Sequence, residues 1–177
     1  MLLSSTNSAG TQRAILAGWE GETRQKLDFK FIYAMQVLEI KTTMSDKRIH
    51  HLHGIDQVTI PPGFDYGALA SLCVQAGQGF TCAQFVNFIK EVAVGTEAEI
   101  EKFGELLATR ILVRGRTLCE DERFSFELIK NGLQYCELDA VPKPGEAEGV
   151  TPIEWLSDLT DIEMMNSEAV HIMINRI

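Results

Sequence analysis

Hydrophobic and polar positions alternate most regularly between Phe80 and Gly115. Phe85, Phe88, Ile89 and Val92 recur at i, i+3, i+4 and i+7, the stripe of an amphipathic helix. Thr81 and Gln84 can cap its start reciprocally, Phe80 can close over the cap against Phe85, and Gly95 can end it. Thr96 and Glu99 repeat the capping pattern. Ile100, Phe103, Leu107 and Ile111 then form a second stripe, with Glu97, Glu99, Glu101, Lys102 and Glu105 toward water. So short a joint predicts an antiparallel helix pair, about 82–94 and 97–113, on which the rest of the chain packs.

The flanking segments are less regular. Ala14, Ile15 and Trp19 mark one side of a helix within Thr11–Gln25, which Gly18 and Gly21 weaken. Leu27, Phe29, Phe31 and Tyr33 alternate with Asp28 and Lys30 as in a strand, whereas Phe31, Ala34, Met35 and Leu38 fit a helix. Periodicity leaves 27–40 open between the two. Lys41 to Gly54 reads as a polar, basic, histidine-rich segment. Val58 to Ile60 reads as a short strand stopped by Pro61-Pro62-Gly63, and Asp65 as the cap of a helix running through Cys73 and Val74. Residues 124–138 suit a β-hairpin turning at Asn131-Gly132, with a glycine-terminated helix as the close competitor.

Two prolines and two glycines make 141–149 a linker between a main body, 1–140, and a tail, 150–177. The tail opens with a Thr151–Glu154 capping box and Pro152 at the first helical position, followed by Ile153, Leu156, Leu159 and Ile162. That predicts a C-terminal helix, after which Val170, Ile172 and Ile174 alternate like an edge strand. The fold class expected from these elements is α+β and mainly helical.

Composition narrows the setting. The chain has 177 residues, 45% hydrophobic and 23% charged, the balance of an ordinary globular domain. It holds no apolar run of membrane-spanning length, and Met1 to Arg13 lack the basic and apolar regions of a secretory signal. Cys73, Cys82, Cys119 and Cys136 form no CxxC pair, so free thiols in a reducing, cytoplasmic setting are expected. A net charge of −9 opposes nucleic-acid binding by bulk attraction. Arg110, Arg114 and Arg116 suit the negative end of the second helix better than a phosphate contact.

Candidate chemistry is sparse. His50, His51 and His53 cluster within four residues, and a strand would turn His51 and His53 to one side, where Asp46 or Asp56 could add an oxygen to a divalent-metal site. Cys82 at a helix start could be a reactive thiol. The carboxylates of Glu120-Asp121-Glu122 and of Asp158, Asp161 and Glu163 read as solvated faces. Catalytic signatures such as G-x-S-x-G, H-E-x-x-H and G-x-G-x-x-G are absent, and no motif asks for a cofactor. The tail, by contrast, carries Trp155, Leu156, Leu159, Ile162, Ile172 and Ile174, a large apolar load for a short segment. The leading reading is therefore a non-enzymatic structural or adaptor protein, a viral or phage assembly component in style. It would bind a protein partner or itself through the tail, with neither nucleic acid nor membrane as partner. The competing reading is a small metal-dependent or thiol enzyme using the histidine cluster or Cys82.

Overall fold

The computed structural model describes residues 9–20, 26–81, 132–145 and 154–177, together with 84, 87, 88, 90, 91, 123 and 124. Helix α1 (Ala9–Ala17) leads into a four-stranded sheet formed by β1 (Phe29–Phe31), β2 (Gln36–Thr43), β4 (Tyr66–Cys73) and β7 (Leu133–Glu137), in the order β1-β2-β4-β7. Between β2 and β4 the chain forms β3 (Ile49–Leu52) and a 3-10 turn, Ile55–Val58. After β4 come β5 (Ala76–Thr81) and β6 (Arg123–Phe124), which pair with each other; β8 (Trp155–Asp158) pairs with β3, and α2 (Ser167–Asn175) closes the chain.

Strands β2 and β4 run parallel in register from Gln36 with Tyr66 to Thr43 with Cys73, while β1 and β7 flank them antiparallel. A parallel pair needs a crossover, and here the crossover carries β3 and the 3-10 turn onto one face of the sheet. Both faces of the central strands are consequently covered. On one face Ile15 of α1 and Met173 and Ile174 of α2 pack with Phe31, Leu38, Ala68, Ala70 and Tyr135. On the other, Leu52, Val58, Leu138, Val141 and Leu159 pack with Leu27, Val37, Leu69 and Cys136. Alternation along β2 and β4 assigns each side chain to its layer: Leu38 and Ala68 to the helices, Val37 and Leu69 to the β3–β8 ribbon.

The junction of α1 with β1 holds the start of the sheet in place. Lys30 N donates to Gly18 O (2.7 Å) and Glu20 N to Asp28 O (2.8 Å), and Trp19 bridges Phe29. Gly18 must lack a side chain here, because a Cβ would stand 2.7 Å from the Phe31 ring and 2.9 Å from Lys30 O. The turn joining β1 to β2 puts Met35 at φ 53°, and its carbonyl accepts the amides of Asp65 and Tyr66 at the entrance to β4.

This architecture overturns the mainly helical fold class. Eight strands in three sheets stand among the described residues, with α1 and α2 of nine residues each. Of the expected central helix pair, the described positions between 84 and 91 are helical. The capping box is present, with Gln84 N donating to Thr81 Oγ1 (3.2 Å) and Thr81 N to Gln84 Oε1 (3.0 Å). The second helix, 97–113, lies outside the described residues, as do Arg110, Arg114, Arg116, Cys82 and Glu120 to Glu122. The organising element is the sheet instead.

The helix expected after Asp65 is strand β4: a central strand buried on both faces is apolar throughout, so periodicity does not distinguish it from a buried helix. Most of the first arm and the turn of the β-hairpin expected within 124–138, residues 125–131, lie outside the described residues. Tyr135 pairs with Ala70 of β4, and Phe124 with β5. In the tail the expectations exchange places. Trp155–Asp158, expected as helix, is strand β8, because β3 offers it an edge to complete. The expected edge strand is helix α2, started by Asn166 accepting from Ala169 N (2.8 Å) and burying Met173 and Ile174. No described helix is long and apolar enough to cross a membrane.

The packing implies a contrast between two substitutions. Leu69→Ala, at a side chain with no exposure, should cost about 2–5 kcal/mol in urea unfolding. Tyr33→Ala, at the fully exposed tip of the β1–β2 turn, should stay within about 0.5 kcal/mol. Equal losses would contradict the assignment of the core.

Candidate functional site

The side chains of Glu39 and Lys41 stand two apart on β2 and therefore share a face, the one toward the β3–β8 ribbon. Asp28 immediately precedes neighbouring β1, and the α1 junction has fixed it. Its Oδ2 accepts Ile40 N (2.8 Å), and its own amide donates to Glu39 Oε2 (3.3 Å). Lys41 Nζ pairs with Glu39 Oε1 at 2.7 Å and donates to Gln57 Oε1 at 3.1 Å. Gln57 Oε1 also accepts the amide of His53 at 2.8 Å. The ammonium of Lys41 is thus held between β2 and the turn after β3. Two carboxylates and one lysine meet at the edge of the core.

Burial here is costly. The Glu39 side chain is 2% exposed. Desolvation first, then the charge of Asp28, pushes its carboxyl up to about 7, against the opposing pull of Lys41. Desolvation also raises the Asp28 carboxyl, opposed by the Ile40 amide and Lys41. A single ammonium does not balance the buried Glu39 carboxylate and the partly buried Asp28 carboxylate, so the pair is short of positive charge. Oxygen donors of this kind suit hard divalent ions such as Mg2+ and Mn2+.

The polar stripe continues beyond Lys41. His50 of β3 is buried, with Nε2 2.7 Å from Ser71 Oγ, while Arg48 Nη1 donates to Ser71 O (2.8 Å) and to Ser71 Oγ (2.9 Å). Nδ1 of His50 makes no hydrogen bond of good geometry, although the Thr42 carbonyl opposes the loss of its proton. Desolvation, aided by Arg48 and Lys41, lowers the ring to about 4. A hollow of about 390 Å³ between β7 and α2, lined in part by Tyr135, Met165 and Ile174, lies on the helix side of the sheet, away from these carboxylates.

The histidine cluster divides by strand alternation. His50 turns inward to Ser71, whereas His51 and His53 point outward and meet Glu154. Neither Asp46 nor Asp56 joins them: Asp46 accepts from Ser45, and Asp56 pairs with Lys26. Asp158 is fully exposed, its carboxyl lowered by hydrogen bonds from Thr160. Of the apolar tail residues, Leu159 is wholly buried, Ile174 is 5% exposed, and Trp155 and Ile162 pack against the ribbon-side core. Leu156 and Ile172 remain exposed.

Asp28, Glu39 and Lys41 do not stand out as a group in the hydrophobic pattern. Asp28 is there one polar position of an alternating run, and the ambiguous segment 27–40 ends between Glu39 and Lys41. The available signal was an acid and a base two apart inside the apolar, β-branched run Val37 to Thr43. Charges there must enter a buried face together.

A family model described as "Putative PD-(D/E)XK family member, (DUF4420)" matches residues 1–135. No curated protein and no solved structure matches the chain. The match overturns the reading of a non-enzymatic structural or adaptor protein and points to an enzyme. Nothing found supports a viral or assembly role.

Opposed proton linkages give the site a pH signature. Glu39 releases its proton near 4.5 when unfolded and near 7 when folded. The folded state therefore binds more protons in that window, and the contribution of Glu39 to stability falls as pH rises through it. His50 acts in the other direction: its contribution is present above 6.5 and is lost as pH falls toward 4. Glu39→Gln should remove the first slope. The raised Asp28 carboxyl acts in the same direction and remains, so the melting temperature of Glu39→Gln should fall less than that of the unaltered chain between pH 5 and pH 8. Identical pH profiles for the two chains would contradict this assignment.

Proposed function

The chain belongs to the DUF4420 family, and from that premise we propose that it is a divalent-metal-dependent phosphodiester hydrolase acting on nucleic acid. The PD-(D/E)XK superfamily is nuclease-like, and its name spells an acid, any residue, then lysine. Glu39-Ile40-Lys41 supplies that triplet, and Asp28 supplies the preceding aspartate, with Leu27 where the pattern has proline. The observation that carries the reading is the convergence of Asp28, Glu39 and Lys41 at the mouth of β1 and β2.

Asp28 and Glu39 are the residues that would hold the metal. Asp28 Oδ2 is engaged by the Ile40 amide, which fixes the carboxylate plane and directs its other oxygen. A bound Mg2+ or Mn2+ would supply Lewis acidity toward a phosphoryl oxygen and make a water molecule acidic. Lys41, held by Glu39 and Gln57, offers N–H donors to a non-bridging phosphate oxygen or to the attacking water. Gln57 is a positioning residue, acting through Lys41. Arg48 adds a second cation along the same stripe.

An overall charge of −9 weakens long-range attraction for a polyanion, so recruitment must be local. Between residues 26 and 48, Lys26, Lys30, Lys41, Lys47 and Arg48 outnumber Asp28, Glu39 and Asp46. Such a segment favours phosphate where the chain as a whole does not.

Purified protein incubated with plasmid DNA and with labelled RNA should cleave at least one of them in Mg2+ or Mn2+ and stop on chelation. Glu39→Gln and Lys41→Met should each lower the rate by at least about 100-fold, with unchanged circular dichroism. Gln57→Ala should lower it by about 10–100-fold. A chain that cleaves neither polymer, or a Glu39→Gln protein as active as the original, would overturn the proposal.

A further inference from the structure

Outside the carboxylate site, one other cluster among the described residues joins metal-ligating side chains from distant parts of the sequence. His51 projects from the water-facing side of β3 and His53 from the residue just after it, both exposed. Glu154, just ahead of the opposing strand β8, directs one oxygen to each ring. Oε1 is 3.1 Å from His53 Nδ1 and Oε2 is 3.3 Å from His51 Nε2. The two rings are 4.3 Å apart between centroids, and a set of ligand atoms, one from each residue, lies within 4.8 Å of one another. We propose that His51, His53 and Glu154 bind one borderline transition-metal ion of the zinc class, which clamps the start of β8 onto β3.

The spacing supports the assignment. Ligand atoms bound to zinc at about 2.0–2.1 Å in a tetrahedron stand about 3.3 Å from one another. The two nitrogen–oxygen distances, each to a different oxygen of Glu154, are close to that value, and with one ligand atom taken from each residue all three lie within 4.8 Å of one another, so movement of these exposed side chains closes the set around an ion. The same distances also serve an N–H···O hydrogen bond. Proton and metal therefore compete for the same lone pairs, and titration with metal reads that competition directly.

Chemistry sets the class of ion. Two imidazole nitrogens and a carboxylate select zinc, cobalt, nickel or copper over Mg2+ and Ca2+. The all-oxygen pair at Asp28 and Glu39 has the reverse preference. Three protein ligands leave a fourth position to water. His51, His53 and Glu154 are 47%, 56% and 62% exposed at their side chains, so an ion can enter from solution and each can be replaced without opening the core. His53 and Glu154 are 101 residues apart in sequence. A clip between them closes a long loop, the case in which a cross-link restrains the unfolded chain most.

The experiment is a titration of the full chain, first stripped with chelator and dialysed. Zinc is followed by calorimetry and cobalt by its visible absorption, with millimolar Mg2+ present throughout. One zinc per chain is expected, together with a higher melting temperature. The affinity should fall at least about tenfold in Glu154→Gln, and further in the His51→Ala/His53→Ala double variant. Glu39→Gln should bind zinc as the original chain does, so a failed carboxylate site would not obscure the result. No saturable zinc binding, or binding unchanged in the double histidine variant, would overturn the proposal. So would binding that disappears in Glu39→Gln, since zinc would then be reporting the other site.

Discussion

Strand β2 has to satisfy two incompatible demands, and the rest of the structure follows from how it does so. As a central strand it is covered on both faces, which favours apolar side chains at every position. Yet Glu39 and Lys41 lie on its ribbon-facing side, and Glu39 is nearly inaccessible. Burying a carboxylate beside Asp28 costs more than the Lys41 contact returns, as the upward displacement of both carboxyls indicates. A fold tolerates such a site when the surrounding structure over-determines it. Here the α1 junction fixes Asp28, the parallel pairing with β4 fixes β2, and the crossover brings Gln57 against Lys41.

The crossover is the economical part of the design. One excursion between β2 and β4 supplies the lid over the ribbon-side core, the Gln57 contact to the site, and the edge on which β8 pairs. It also separates the histidines by function. His50 turns to Ser71 and continues the buried polar stripe, while its neighbours His51 and His53 face water and meet Glu154. A single strand therefore borders two clusters of unlike donor chemistry, one of oxygen and one dominated by imidazole nitrogen.

Local signals were legible in the sequence where they were self-contained. The Thr81–Gln84 capping box is decided within four residues, and it forms as expected. Alternation at Phe29 and Phe31 fits the strand that forms there, although the stretch 27–40 fitted a helix equally well. Segments whose partner lies far along the chain were not legible. Trp155–Asp158 has the spacing of a helix in isolation and becomes a strand because β3, about a hundred residues earlier, offers an edge. Val170 to Ile174 alternates like a strand but also places apolar residues four apart, and the sheet face selects the helix. The working residues were hidden for the same reason. Asp28 and Glu39 become neighbours through the β1–β2 turn, and a reading that left 27–40 undecided between helix and strand had no geometry to join them.

Binding of a hard cation to the Asp28–Glu39 pair can be observed without any substrate. Titration of the purified chain into Mn2+, followed by loss of the free-ion electron paramagnetic resonance signal, should show saturable binding that Glu39→Gln and Asp28→Asn each abolish. Undiminished Mn2+ binding in those two variants, or none in the original chain, would contradict the view that these carboxylates form a cation site.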